Sequence, residues 1–258
     1  MINVSFEVPW VFLLIAGFAG YFQTVTGFGL GMLVMGLVGG MGVLPMTSVV
    51  AVISLMTLVN CAIALPGRLH FVNWPTVLAV LLGLLPSLVL GVWLLNYLSV
   101  SASVAMQMLL GVVIVYGGLA LLIKPRYQQK ISSPRSFTLF GSVSGLFGGL
   151  FEIAGPPLIY HYYRQPLAIN CIRHTLLLLF GLASGARTGL VISTGQMTTD
   201  IVLLTAWALP AVVIGTWLGR RWAPPLSVQA MRRLVCLVLL LIGLSLIIAG
   251  VSQQMLDS

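Results

Sequence analysis

Charged residues are scarce in this chain. Of 258 residues only 4 are Asp or Glu and 12 are Lys or Arg, whereas hydrophobic residues make up 59% of the sequence. With a mean hydropathy of +1.11, this composition excludes a water-soluble domain, which needs a polar surface. Apolar runs of ~18–20 residues are long enough to cross the hydrocarbon core of a bilayer. The sequence therefore predicts an all-α polytopic membrane protein.

Cysteine is also rare, and the motifs of several enzyme classes are missing. Cys61, Cys171 and Cys236 stand singly in apolar stretches, so we expect neither a disulfide nor a metal site. The chain contains no GxxxxGK[ST] nucleotide motif, no HExxH and no GxSxG, and we expect no cofactor and no enzymatic activity. The excess of Lys and Arg falls between apolar segments, which indicates orientation signals rather than nucleic-acid binding.

The chain repeats itself at about half its length. Residues 85–94 read LPSLVLGVWL and residues 209–218 read LPAVVIGTWL, identical at six of ten positions at an offset of 124 (210 − 86). Internal repeats of this kind are typical of secondary transporters, which place related half-sites around a central pathway.

The apolar segments divide into two matching sets. Two regions, 8–44 and 136–163, are interrupted by glycine, proline and polar residues, which end helices and leave backbone groups in need of partners. The breaks are expected at residues 23–29 and 148–157. The sequence predicts a first repeat at 1–123, a cytoplasmic linker at 124–135 and a second repeat at 136–258. Each repeat contains a broken helical hairpin and three transmembrane helices, at 46–65, 75–96 and 102–123 in the first and at 168–192, 201–219 and 234–251 in the second.

The placement of the basic residues decides how the broken regions cross the membrane. If each crossed once, five Lys or Arg would face one side and six the other, against the positive-inside bias. If each returns to its own side, all eleven share one side and only Arg187 lies apart. The repeats are then inverted relative to each other, with both termini periplasmic. Whether the hairpins are re-entrant or fully crossing stays open, because half-helices of about 13–17 residues are borderline.

The two breaks predict an anion site. Gly155 and Pro156 are suited to a helix N-terminus, and Thr24 or Thr26 is a candidate cap in the first repeat. Helix N-termini that converge at the midplane bind anions through free N–H groups and the macrodipole. The candidate substrate-binding residues are Gln23, Thr24, Thr26, Gly27, Phe28, Gly29, Asn60, Gly155, Pro156, Arg173 and Arg187.

Glu152 is the one acidic residue deep in an apolar region, and such groups mark ion paths or proton relays. An unpaired carboxylate would repel an anion, so we expect Glu152 either to be protonated during binding or to pair with an arginine. Arg187 is the candidate partner. His161, which could carry protons near neutral pH, is the second candidate for proton coupling.

Two stretches carry a family resemblance. TGFGLGMLVMGL at 26–37 and GLFGGLFEIAGPPLIYHYYRQPLAINCIRHTLL at 145–177 resemble the sulfite exporter TauE/SafE family, also called the toluene sulfonate uptake permease family. A GFG segment after the first break, a GPP element after the second and an arginine at the position of Arg173 are usual there. Glu152 stands where a small or neutral residue is common.

The resemblance implies transport of small sulfur-containing anions, such as sulfite, sulfoacetate or related organosulfonates, across the bacterial inner membrane. We expect a secondary transporter, working in export by alternating access, as a monomer or homodimer. A passive anion channel with the same site is the alternative. A scaffold role would predict that substitutions at Glu152 or Arg187 leave function intact.

Overall fold

The computed structural model describes residues 10–39, 45–101, 103–122, 127–222 and 228–256. Most of these residues are helical, and none of them lies in a strand. In chain order the helices are α1 (Trp10–Thr26), α2 (Leu30–Val34), α3 (Met46–Ala64), α4 (Trp74–Ser101), α5 (Ser103–Leu122), α6 (Pro134–Phe151), α7 (Gly155–Tyr163), α8 (Ile169–Ser193), α9 (Thr199–Arg221) and α10 (Val228–Leu256). A π-helical turn, Met35–Gly39, continues α2, and a 3-10 turn, Leu69–Phe71, precedes α4.

Four of the six long spans expected from the sequence, α3, α4, α8 and α9, are long and apolar enough to cross a bilayer. The other two are α5 and α10, whose apolar stretches among the described side chains are Ala105–Leu119 and Cys236–Ser252. Large apolar side chains face outward, for example Leu82 at 73% and Leu241 at 71% exposure. Such a surface suits lipid rather than water. The fold is that of an all-helical polytopic membrane protein, as predicted.

Helices of the first half of the chain pack on helices of the second half in a regular pattern. The hairpin arm α1 packs along α9 of the second half, and the corresponding arm α6 packs along α4 of the first half. Likewise α3 packs on α8, and α5 packs on α10. In each of these pairs the two helices hold the same position in the two predicted repeats. A pseudo-twofold relation between the halves would produce this pattern, and the inversion of the repeats stays a prediction that the pattern supports.

The repeated ten-residue motif makes the same kind of contact in both halves. Gly91 of α4 lies directly against the backbone of α6 at Leu146 and Gly149, and Gly215 of α9 lies directly against the backbone of α1 at Gly17 and Tyr21. A side chain at either glycine would collide with the neighbouring helix. The repeat therefore provides the close helix crossings that hold each broken hairpin, as small residues do in membrane bundles.

The second broken region returns to the end of the bundle where it began. The Gln128 amide donates to the Arg164 carbonyl at 2.8 Å, and the Ser132 amide donates to the Gln165 side chain at 2.8 Å. The chain before α6 therefore meets the chain after α7. With 9 residues, α7 is about 13 Å long at 1.5 Å per residue, which is under half of a ~30 Å hydrocarbon core. Both observations support a re-entrant hairpin, which stays a prediction.

Both breaks are narrower than the sequence indicated. The non-helical residues are 27–29 and 152–154, so Gln23, Thr24 and Thr26 still belong to α1 and Gly148 to α6. The predicted positions of the termini, and parts of the first hairpin and of the linker, lie outside the described residues.

Candidate functional site

The two breaks touch each other near the centre of the bundle. Gly27 and Gly29 adopt positive φ values of 92° and 110°, and Glu152 adopts a φ of 58°, which non-glycine residues rarely do. Gly31, in the first turn of α2, packs on the backbone carbonyl of Glu152 so closely that any side chain there would collide. The first and second halves of the chain therefore meet backbone to backbone at their breaks.

A buried cavity lies at this junction. The first break and the helical turns beside it contribute four residues to the wall, the second break and its flanking turns contribute four, and α3 and α8 contribute the rest. The lining residues are Gln23, Gly29, Gly31, Met32, Thr57, Gly148, Glu152, Ala154, Gly155, Phe180, Ala183 and Ser184. Of the sequence-predicted site residues, Gln23, Gly29, Glu152 and Gly155 are thus brought together in one place.

Gln23 holds the first break in shape. Its side-chain carbonyl accepts a hydrogen bond from the Leu30 amide at 3.1 Å, which satisfies the first donor of α2. The expectation that Thr24 or Thr26 caps this helix was wrong. Both threonines lie in α1, and their hydroxyls donate to the carbonyls of Gly20 and Phe22, four residues earlier. Thr26 Oγ1 also donates to the Phe28 carbonyl and accepts from the Phe28 amide within the break, whereas the longer Gln23 side chain reaches the first amide of α2.

Arg187 and Glu152 form a buried ion pair. Arg187 Nε lies 4.0 Å from Glu152 Oε2, and the two side chains are only 2% and 6% exposed. Nη1 of Arg187 donates to the carbonyls of Gly148, at 3.0 Å, and Gly149. The hydroxyl of Ser184 donates to the other carboxylate oxygen of Glu152. Glu152 Oε2 and Arg187 Nε have no hydrogen-bond partner, so both retain capacity for a ligand.

Arg173 binds a backbone carbonyl at the end of the helix before the first break, as Arg187 does before the second. It donates to the carbonyl of Thr24 in the last turn of α1, and its backbone and side chain pack on Gly27. The two arginines are 14 residues apart on α8, about four turns and nearly one face. The last carbonyls of a helix lack intrahelical donors and carry the negative end of the macrodipole. Helix α8 therefore braces the C-terminal ends of both broken arms.

Other predicted site residues lie outside the cavity wall. Asn60 is fully buried and donates to the Gly20 carbonyl at 2.9 Å and to the hydroxyls of Thr24 and Thr216, at 2.9 and 2.6 Å. It ties α1, α3 and α9 together. Phe28 packs edge-on against another ring of the first hairpin.

His161 and Pro156 also stand apart from the lining. His161 is packed between Phe137 and Phe140, with ring centroids at 4.6 and 4.3 Å. Pro156, in the first turn of α7, lies against Gly117 of α5.

Two hydroxyls in the wall were missed by the sequence reasoning. Ser184 lies three residues before Arg187 on α8, so the helical spacing of the two could have indicated it. Thr57 Oγ1 is buried with no hydrogen-bond partner. Nothing in the sequence separates Thr57 from Ser54 or Thr216, whose hydroxyls bond back to their own helices.

Comparison with known proteins agrees with this architecture. The family model described as sulfite exporter TauE/SafE matches residues 12–246. The probable sulfite/organosulfonate exporter TauE of Cupriavidus necator is 46% identical over 240 residues, 93% of this chain and 94% of its own length. The probable inner membrane transporter protein TsaS of Comamonas testosteroni is 30% identical over 189 residues, 70% of this chain and 76% of its own. No solved structure matches the chain. A family match over nearly the whole chain, with a relative this similar, shows that the chain belongs to the sulfite exporter TauE/SafE family of membrane transporters.

Proposed function

We propose that this protein exports small sulfur-containing oxyanions, such as sulfite, sulfoacetate or related organosulfonates, across the bacterial inner membrane by alternating access. The names of its relatives support the substrate class and the membrane. The observation that carries the proposal is the convergence of both helix breaks on one buried cavity.

The donors around the cavity suit a pyramidal oxyanion. Helix α7 begins at Gly155, and Pro156 and Pro157 have no N–H, so Gly155 is the first-turn donor of this helix that faces the cavity. The hydroxyl of Thr57 adds a side-chain donor from α3. The hydroxyl of Ser184 on α8 donates to Glu152 while the carboxylate is charged, and it becomes available to the anion when Glu152 is protonated. A sulfite or sulfonate group has three oxygens, and these donors come from three different elements. Movement of these helices relative to one another would therefore separate the donors.

The charges at the site support a competition between the Glu152 carboxylate and the substrate anion for the guanidinium of Arg187. With the pair intact, the positive and negative charges cancel and the site attracts an anion weakly. Protonation of Glu152 would release Arg187 to face the substrate, so proton and anion promote each other's binding. We therefore assign proton coupling to Glu152. His161 is left out, because aromatic rings surround it and it does not line the cavity.

The membrane potential favours the outward direction. The cell interior is electrically negative, so the export of each negative charge is favoured by about 2.3 kcal/mol of free energy per 100 mV of membrane potential. A divalent anion that leaves with a proton still carries net negative charge outward, so proton coupling at Glu152 and export are compatible.

Flux in proteoliposomes tests the proposal. We expect saturable sulfoacetate flux that trans-substrate accelerates, because a carrier returns faster when loaded. A passive channel would show flux without trans-acceleration, and absence of flux from folded protein would refute the assigned substrate class. Lowering the pH should raise the apparent affinity of the wild type, and Glu152→Gln should remove that dependence. A surviving dependence would show that Glu152 is not the proton carrier.

A further inference from the structure

A second cavity lies beyond the Arg187–Glu152 pair. It is larger than the cavity at the breaks, and it opens between the ends of four helices. Its lining residues are Thr47, Ser48, Ala51, Val92, Leu95, Asn96, Arg187, Val191, Gln196, Thr198 and Ile201. These belong to the start of α3, the end of α4, the end of α8 and the start of α9.

The position of this cavity assigns it to the periplasmic side. Arg68, Arg164, Arg173, Arg220 and Arg221 all lie at or beyond the opposite ends of the same set of helices. Because Lys and Arg concentrate on the cytoplasmic side of membrane proteins, the second cavity faces the other compartment.

The ion pair separates the two cavities. Glu152 lines the cavity at the breaks and Arg187 lines the second cavity, with their charged groups 4.0 Å apart. The Arg187 side chain is 2% exposed, and its Nε has no hydrogen-bond partner. Among the residues that the structure describes, no carboxylate lines the second cavity, and its polar groups besides Arg187 are hydroxyls and amides.

We propose that this periplasmic cavity, here called the outer subsite, binds the oxyanion on its way out, with Arg187 as its anchor. The inference rests on the proposed function and adds a second binding place to it. An anion held between the breaks competes with Glu152 for the guanidinium. Arg187 then stays with the anion as it passes to the outer subsite, where hydroxyls and the Gln196 amide replace the donors it leaves. When Arg187 returns to Glu152, the ion pair again separates the two cavities behind the departing anion.

Substrate protection of a cysteine in the outer subsite tests the proposal. Ser48→Cys places a thiol in the wall, and Thr194→Cys places one in the nearby exposed loop outside the cavity. A membrane-impermeant thiosulfonate reagent is added to vesicles with the periplasmic face outward, and sulfoacetate is the probe because sulfite itself would cleave the product. The wild type is the background control, since Cys61 and Cys236 are buried and Cys171 lies at the cytoplasmic end of α8.

We expect sulfoacetate at about ten times its Kd to slow modification of Ser48→Cys by about tenfold, as simple occupancy predicts. Thr194→Cys should not be protected. Adding Arg187→Gln should abolish protection and Arg187→Lys should retain part of it. Because Arg187→Gln can also disturb folding through the α6 carbonyls, Gln196→Glu serves as a second variant that adds repulsion without touching them, and it too should weaken protection.

The outcomes separate this inference from the proposed function. Flux of sulfoacetate without protection of Ser48→Cys would refute the outer subsite and leave the transporter intact. Protection that survives both Arg187→Gln and Gln196→Glu would also refute it. Protection without flux would support the subsite and refute transport, and the absence of both would refute the two proposals together.

Discussion

Replacing Arg187 by glutamine is expected to destabilise the protein more than replacing Glu152 by glutamine, because the two residues have different second partners. Without Arg187 the Glu152 carboxylate is buried beside the Ser184 hydroxyl with no positive charge to pair with it, and the carbonyls of Gly148 and Gly149 lose the guanidinium donor. Without the carboxylate, Arg187 keeps both carbonyls.

The magnitudes follow from burial. Removing one member of a buried ion pair costs about 3–5 kcal/mol, and we expect Arg187→Gln to fall in that range. Glu152→Gln also leaves a buried charge without its partner, but Arg187 keeps both carbonyl acceptors and glutamine still accepts from Ser184. We therefore expect a smaller cost of about 1–3 kcal/mol. The double variant should be more stable than the sum of the single changes predicts, by about 2 kcal/mol, because no charge is then left unpaired.

Thermal unfolding in detergent micelles checks this prediction. For a chain of this length about 1 kcal/mol corresponds to roughly 2–4 °C, so Arg187→Gln should lower the midpoint by about 10 °C and Glu152→Gln by clearly less. Strictly additive changes would refute the ion pair as a link between the broken hairpin and α8. A reversed order would refute the contribution of the carbonyl contacts of Arg187.

Three further predictions concern the helix junctions. Gly31→Ala should abolish sulfoacetate flux and destabilise the fold by about 1–3 kcal/mol, as overpacking does, whereas Gly189→Ala on α8, where a Cβ meets open space, should leave both unchanged; equal effects would contradict the contact between the breaks. Gly91→Ala and Gly215→Ala should each lower the unfolding midpoint, and an unchanged midpoint in either would show that the crossing tolerates a side chain. Gln23→Ala removes the acceptor for the first amide of α2 and should cost about 1 kcal/mol, measured by the same unfolding assay, and a neutral result would mean that the cap is dispensable.

Much of the fold could be predicted because each signal is local. Apolar length sets the spans, and glycine with proline sets the breaks to within a few residues, since both act on their own turn of helix. The repeated motif indicated an internal repeat, and the structure gives Gly91 and Gly215 corresponding close contacts. What the sequence did not determine was the extent of each break. Tertiary contacts keep Gln23 and Gly148 helical although their neighbours do not favour helix.

The site was harder to predict because its members are distant in sequence. The sequence left open whether Glu152 pairs with an arginine, and only the crossing of α6 with α8 brings Arg187 to it. Arg173 was expected at the anion, and the structure engages it with the Thr24 carbonyl. Thr57 carries no local signal, because hydroxyls in apolar helices ordinarily bond to the carbonyl four residues earlier. Only the three-dimensional structure shows that the Thr57 hydroxyl lacks a hydrogen-bond partner and lines the cavity.

Binding of labelled sulfoacetate to purified Thr57→Val and Thr188→Val tests the central claim most directly. Both threonines have buried hydroxyls without partners, and only Thr57 lines the cavity between the breaks. Valine keeps the shape, so neither change should harm folding. A lost hydrogen bond to a charged group costs about 1.5–3 kcal/mol, so Thr57→Val should weaken binding by about tenfold or more, with Thr188→Val unchanged. Equal affinity in the two variants would place the anion elsewhere and contradict the account.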